Sequence, residues 1–142
     1  MRSLVLTLFC TLSFSAHAAT LQAGQVWAYH TRQGEEASTL TILKVENYKD
    51  LGKVVHIRVD GVNMTNPIKG NAVETLPHLP FKDAPLQKSI TKLLRQTKPV
   101  PDFKKGYEHW EKAYMAHQAG AFNVSVTEML DGMPKAEWVE EK

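Results

Sequence analysis

The chain opens on an apolar run and then changes hydrophobic period twice. The run Leu4-Val5-Leu6-Thr7-Leu8-Phe9-Cys10-Thr11-Leu12 follows Arg2 and precedes the small residues Ala16 and Ala18. Charge, short apolar core and small-residue site, in that order, are what export machinery reads. The core is too short for a membrane span, which needs about twenty residues. Residues 1–18 are therefore expected to be a cleavable signal peptide, and 19–142 one domain. Lipidation at Cys10 fits less well, because Phe9 is bulky for the position before a lipidated cysteine and Cys10 sits inside the apolar run.

Next comes a stretch with the two-residue period of strands. Gln25-Val26-Trp27-Ala28-Tyr29-His30-Thr31 follows Gly24 and is rich in aromatic and β-branched residues, with Gly34-Glu35-Glu36 as a turn. Thr39 to Ile42 alternate, then Leu43 and Val45 shift the apolar set to the other parity, the mark of a bulge or of a strand buried on both faces. Lys53 to Val59 form the clearest strand, with Val55, Ile57 and Val59 on one face and His56 and Arg58 on the other. Asp60-Gly61 reads as a tight hairpin turn and Val62 to Thr65 as the return strand. Val73 to Leu76 add a short strand before Pro77 and Pro80 interrupt the pattern. These connections are too short for helical crossovers, so the strands are expected to form an antiparallel meander.

From Asp83 the period becomes helical. Pro85 is tolerated in a first turn, and Leu86, Ile90, Leu93 and Leu94 then share one face, with Lys88, Lys92 and Arg95 opposite, until Pro99 and Pro101. A second helix is predicted from Asp102 to about Gln118, ended by Gly120, with Phe103, Tyr107, Trp110 and Tyr114 as its stripe. Phe122 to Val126 alternate and read as a last strand, followed by a polar tail over 131–142 in which Trp138 is the one aromatic residue. The fold expected is α+β: an antiparallel meander sheet of four to five strands with two amphipathic helices packed on one face.

Charge and cysteine content narrow the setting. Loss of Arg2 with the leader leaves sixteen Lys and Arg against fifteen Asp and Glu, which gives no general attraction for nucleic acid. The only cysteine, Cys10, leaves with the leader too. A disulfide-free exported domain fits a bacterial periplasm better than a cysteine-rich extracellular scaffold, so the expected location is periplasm or secreted. No stable membrane insertion is expected after cleavage, and the oligomeric state is open.

The candidate chemistry is sparse. Histidines at 30, 56, 78, 109 and 117 show none of the close spacings of metal ligands, so no metal and no cofactor are expected. A mature chain without cysteine excludes a thiol nucleophile, and no G-x-S-x-G turn or Gly-rich phosphate loop is present. The carboxylate pairs Glu35-Glu36, Glu108/Glu111 and Glu140-Glu141 fall in a turn, a charged helix face and a tail, where solvation explains them. Lys88, Lys92 and Arg95, extended by Lys98, are either a solvated helix face or a surface for an acidic partner. The aromatic stripe is either core or a recognition face. Leu76-Pro77-His78-Leu79-Pro80-Phe81 either wraps a sheet edge or presents a binding loop.

The function expected is an exported, non-catalytic binding module that recognises a protein or envelope component, such as an inhibitor or immunity-type protein. Its candidate binding residues are Trp110, Tyr114, Tyr107, His78, Phe81, Lys88, Lys92 and Arg95. The alternative is a small envelope hydrolase or lyase that assembles His and carboxylate groups in a cleft.

Overall fold

The computed structural model describes residues 17–133, so most of the expected leader, and Trp138, lie outside the described residues. Strands β1 (Gln25–Tyr29), β2 (Thr39–Tyr48), β3 (Gly52–Thr65) and β4 (Ala72–Lys82) precede a short helix α1 (Asp83–Ser89). Strand β5 (Ile90–Gln96) and helices α2 (Lys104–Met115) and α3 (Val126–Gly132) follow. The sheet is antiparallel throughout, in the order β4-β3-β2-β1-β5. The α+β class and an antiparallel sheet of five strands are as the sequence predicts.

Alternation along β3 decides the layers. Val55, Ile57 and Val59 join Leu40, Ile42, Leu79 and Phe81 in one core, which Leu86 of α1 and Val126, Met129 and Leu130 of α3 complete. On the opposite face Val54 and His56 are also fully buried, and there α2 lays Tyr107 and Trp110 over His56. The sheet is therefore covered on both faces. One face does carry two helices, but they are α1 and α3, and the aromatic helix lies on the other side. Leu43 is the predicted irregularity, marked by a register shift between Ile42 and Lys44.

Several elements differ from their sequence reading, each for a physical reason. Asp60-Gly61 is not a hairpin turn. β3 runs through it as a bulged strand, with register shifting between Asp60 and Met64 and Gly61 at φ +79°. The β3–β4 hairpin sits at Asn66 instead, whose carboxamide oxygen accepts from the N–H groups of Ile68 and Lys69 at 2.8 and 3.0 Å. β4 continues through Pro77 and Pro80, with a bulge where Pro77 and His78 stand against Arg58, because an edge strand tolerates residues that cannot donate to a further ladder.

The predicted long helix after Asp83 stops at Ser89. The Ser89 hydroxyl bonds back to the Pro85 carbonyl at 2.9 Å and receives the Val126 N–H at 3.2 Å, which ties the end of α1 to the start of α3. Ile90 then turns to extended geometry, and the chain pairs with β1, placing Ile90 opposite Tyr29 and Leu93 opposite Trp27. Two bulges leave Thr91 and Leu94 as extra residues on β5. Phe122 makes only a single parallel bridge to Phe81 rather than a strand, and Ser125 caps α3 by accepting from the Glu128 N–H at 3.1 Å. Asp131 and Gly132, expected in the tail, close α3.

The bulge in β3 is stabilised by the loop after β1. Glu35, read from sequence as a solvated turn residue, is buried and accepts from the Asn63 N–H. Arg32 grips it with two bonds of 2.6 and 2.7 Å, and the guanidinium, with the Asn63 N–H, holds the carboxyl below its ordinary value against the effect of burial. Gly61 packs close by: a Cβ there would stand 3.2 Å from the Ser38 Cα. Gly61→Ala is expected to cost about 1–2 kcal/mol, from the positive φ and the crowding together. Urea unfolding of wild type and variant checks it; an unchanged midpoint would mean that the bulge relaxes freely.

Candidate functional site

Two places in the molecule gather chemistry-bearing residues, and they sit at different ends of the sheet. The first lies between β2, β3 and β4 and the underside of α2. Lys44, Glu46 and Tyr48 of β2 share a face with His56 of β3, and the β4 register places His78 diagonally beside His56. His56 Nδ1 and His78 Nε2 are 2.9 Å apart, and the rings stack with 5.1 Å between centroids. His56 Nε2 stands 3.3 Å from Glu46 Oε1, out of line for a good hydrogen bond. The neutral form consistent with both contacts keeps the His56 proton on Nε2, toward the carboxylate, so that Nδ1 accepts from His78.

Glu46 is held from the α2 side too. The Tyr107 hydroxyl donates to it at 2.6 Å, and Lys44 lies 3.5 Å from the same oxygen and 4.5 Å above the Tyr107 ring. Burial opposes the Glu46 charge, but the tyrosine hydroxyls and Lys44 outweigh it and keep the carboxyl below its ordinary value. The same surroundings push the Tyr48 phenol up to about 12, chiefly by burial, and raise Tyr107 as well. Burial brings His56 down to about 4 against the pull of Glu46, and brings His78 to about 4 with help from the neighbouring imidazole. Both rings are thus neutral at ordinary pH.

The aromatic stripe of α2 is the roof of this layer. Trp110 is buried, packs edge-on to His56 and Tyr48, stacks on Tyr114, and donates its indole N–H to the Gly120 carbonyl at 2.7 Å. Tyr114 is half-buried and reaches Asp50. The helix comes this close to β4 because residue 106 is glycine: a Cβ there would be 2.8 Å from the His78 Cβ. Beside this contact an open groove of about 640 Å³ runs between α2, β4 and residues 118–122, bordered by His78, His109 and Trp110. Among the described residues no cluster of three or more His, Cys, Asp or Glu side chains has the geometry to hold a metal ion.

The second place is the β5 edge. Lys92 and Arg95 face Ala28 and Val26 in the ladder, so they project from the same face despite their spacing of three, because Leu94 is bulged out between them. Lys98 follows, also exposed, and none of the three has a carboxylate within ion-pair distance among the described residues. Leu93 and Leu94 are 47% and 43% exposed. Lys88 is separated from them, on the last turn of α1 beside a groove with Glu128.

The residues singled out from the sequence therefore divide. Trp110, Tyr107, Tyr114 and His78 meet in the layer under α2; Phe81 is fully buried on the other face; Lys92 and Arg95 lie together on a strand rather than on a helix with Lys88. Glu46, Tyr48 and His56 complete the layer and were not among them. His56 was legible as the polar member of an apolar strand, but its partners come from two other strands. Comparison with protein-family models, curated proteins and solved structures gives no match.

The neutral imidazole pair carries a pH dependence with a definite sign. Free histidine titrates near 6.5. The unfolded chain thus binds more protons than the folded one between that value and about 4, so stability is full above pH 6.5 and falls as pH drops toward 4. The loss expected for the buried His56 is on the order of 3 kcal/mol. Unfolding free energies at pH 7.5 and 4.5 measure it. His56→Leu should make this interval of the profile shallower, His78 keeping its own contribution; a wild-type slope in that variant would assign the dependence to other groups.

Proposed function

We propose that the protein is an exported, non-catalytic binding module that recognises a protein or envelope component through the β5 side of its sheet. The observation that carries this reading is the set of exposed cations Lys92, Arg95 and Lys98, without an ion-pair partner among the described residues, around two exposed leucines on a sheet edge. Unpaired like charges on one edge raise the local potential for an acidic partner, and adjacent apolar surface adds contact area.

Export rests on the order of residues 2–18, and one contact supports the boundary. Both backbone groups of Ala19 are held by the Gln87 carboxamide, N–H to Oε1 at 3.0 Å and carbonyl to Nε2 at 2.7 Å. Leu21 is already part of the core. Ala19 and Leu21, just after the small-residue site, are thus held by the described domain. Among the described residues no helix is long and apolar enough to cross a membrane.

The hydrolase or lyase alternative draws on the groove beside His78 and His109. Against it, His56 is fully buried and bonded to His78, and the Glu46 oxygen nearest the imidazole also accepts from Tyr107. These groups hold α2 to the sheet, which is a sufficient account of their arrangement.

Affinity capture from an envelope extract separates the readings. Immobilised wild-type protein is expected to retain a partner that is lost with Lys92→Glu/Arg95→Glu and weakened by salt. A protein that retains nothing, yet turns over an envelope substrate in a His78-dependent way, would sink the binding-module reading. Mass analysis of the exported protein should give a first residue of Ala19.

A further inference from the structure

We propose that β5 takes up a short extended segment of an acidic partner polypeptide as a sixth strand of the sheet, a mode of recognition that rests on the binding-module reading above. The two edges of the sheet are treated differently. On β4, Pro77 and Pro80 have no N–H to offer, and Phe122 occupies the adjoining stretch, its N–H donating to the Pro80 carbonyl at 2.8 Å and its carbonyl accepting from the Lys82 N–H at 2.9 Å. That edge is closed over residues 77–82. β5 has neither device: it contains no proline, pairs only with β1, and among the described residues has no backbone partner on its outer side. Unpaired strand N–H and C=O groups are a template for another strand.

Side chains set the kind of strand. An added residue opposite Lys92 or Arg95 on their shared face meets a cation with no carboxylate of its own, so Asp or Glu is favoured there. Leu93 lies in register with Trp27, on the other face, and offers an apolar contact to the alternate positions. The segment therefore alternates acidic and apolar residues. The bulges at Thr91 and Leu94 coil the edge, which disfavours a long flat strand and leaves room for about four to six residues at 3.3 Å each.

The same residues disfavour a second copy of this chain. An antiparallel β5–β5 pair centred between Leu93 and Leu94 would set Lys92 of each copy opposite Arg95 of the other, and like charges across strands destabilise pairing. An anionic polysaccharide would satisfy the charges but not the backbone groups.

The probe is a capped eight-residue peptide of alternating glutamate and valine, offered to the full mature chain at low salt. Binding is expected with new hydrogen-exchange protection confined to amides of residues 90–96. Methylating alternate amide nitrogens of the peptide should weaken binding at least about tenfold, as should Lys92→Glu/Arg95→Glu. Equal binding of the methylated peptide, protection elsewhere, or no binding of the peptide each overturns strand addition. If dextran sulfate binds through Lys92 and Arg95 while the peptide does not bind, strand addition fails and the binding-module reading stands; failure of the wild-type protein to capture any partner from an envelope extract is the separate result that would remove that reading.

Discussion

Burial of β3 on both of its faces is the constraint from which the rest of the structure follows. A strand with one wet face could place His56 in solvent, but here Val54 and His56 are as buried as Val55 and Ile57. An imidazole in such a layer must be neutral and hydrogen-bonded, because a charged one would lose its hydration without full compensation. His78 supplies the bond, Glu46 the nearby acceptor, and Tyr107 the donor that keeps Glu46 satisfied. Each of these residues comes from a different element, so the layer fixes β2, β3, β4 and α2 relative to one another. The requirement for close approach explains Gly106 in the same terms.

With both faces covered, what the sheet leaves accessible is its rims and the loops between layers. The polar chemistry of the inner layer is directed at holding α2, and the aromatic residues that could have formed a flat recognition face are instead the contact between helix and sheet. What faces outward in a concentrated form is the cationic β5 edge with its two leucines. This division between an inward aromatic layer and an outward basic edge is the physical basis for placing recognition at β5.

Legibility in the sequence tracked how local the determining interaction was. β1, β2, the first half of β3, the irregularity at Leu43 and the α2 stripe were readable, because alternation or helical spacing within one element fixes them. β5 was not: its bulges at Thr91 and Leu94 erase the two-residue alternation and leave Ile90, Leu93 and Leu94 at helical intervals. Only the free edge of β1, distant in sequence, selects the strand. The prolines of β4 misled for a related reason, since their tolerance depends on β4 being an edge. The start of α3 did carry a local signal, Ser125 followed by Glu128, the pattern of a capping box, and the alternation of Phe122, Val124 and Val126 obscured it. For the site, the α2 aromatics, His78, Lys92 and Arg95 were picked out by type. Glu46 and His56 gained meaning only from a register across three strands.

The position of β5 beside β1 also bears on how the chain assembles as it emerges from amino to carboxyl end. The four strands β1 to β4 form a meander whose neighbours are adjacent in sequence and pair as they appear. Throughout that interval the outer side of β1 is unpaired, and it closes only when residues 90–96 arrive across some sixty residues of intervening chain. The open rim of the sheet therefore moves once during vectorial synthesis, from the apolar and aromatic β1 to the charged β5. The rim that would invite misassembly is covered in the finished molecule by a charged one.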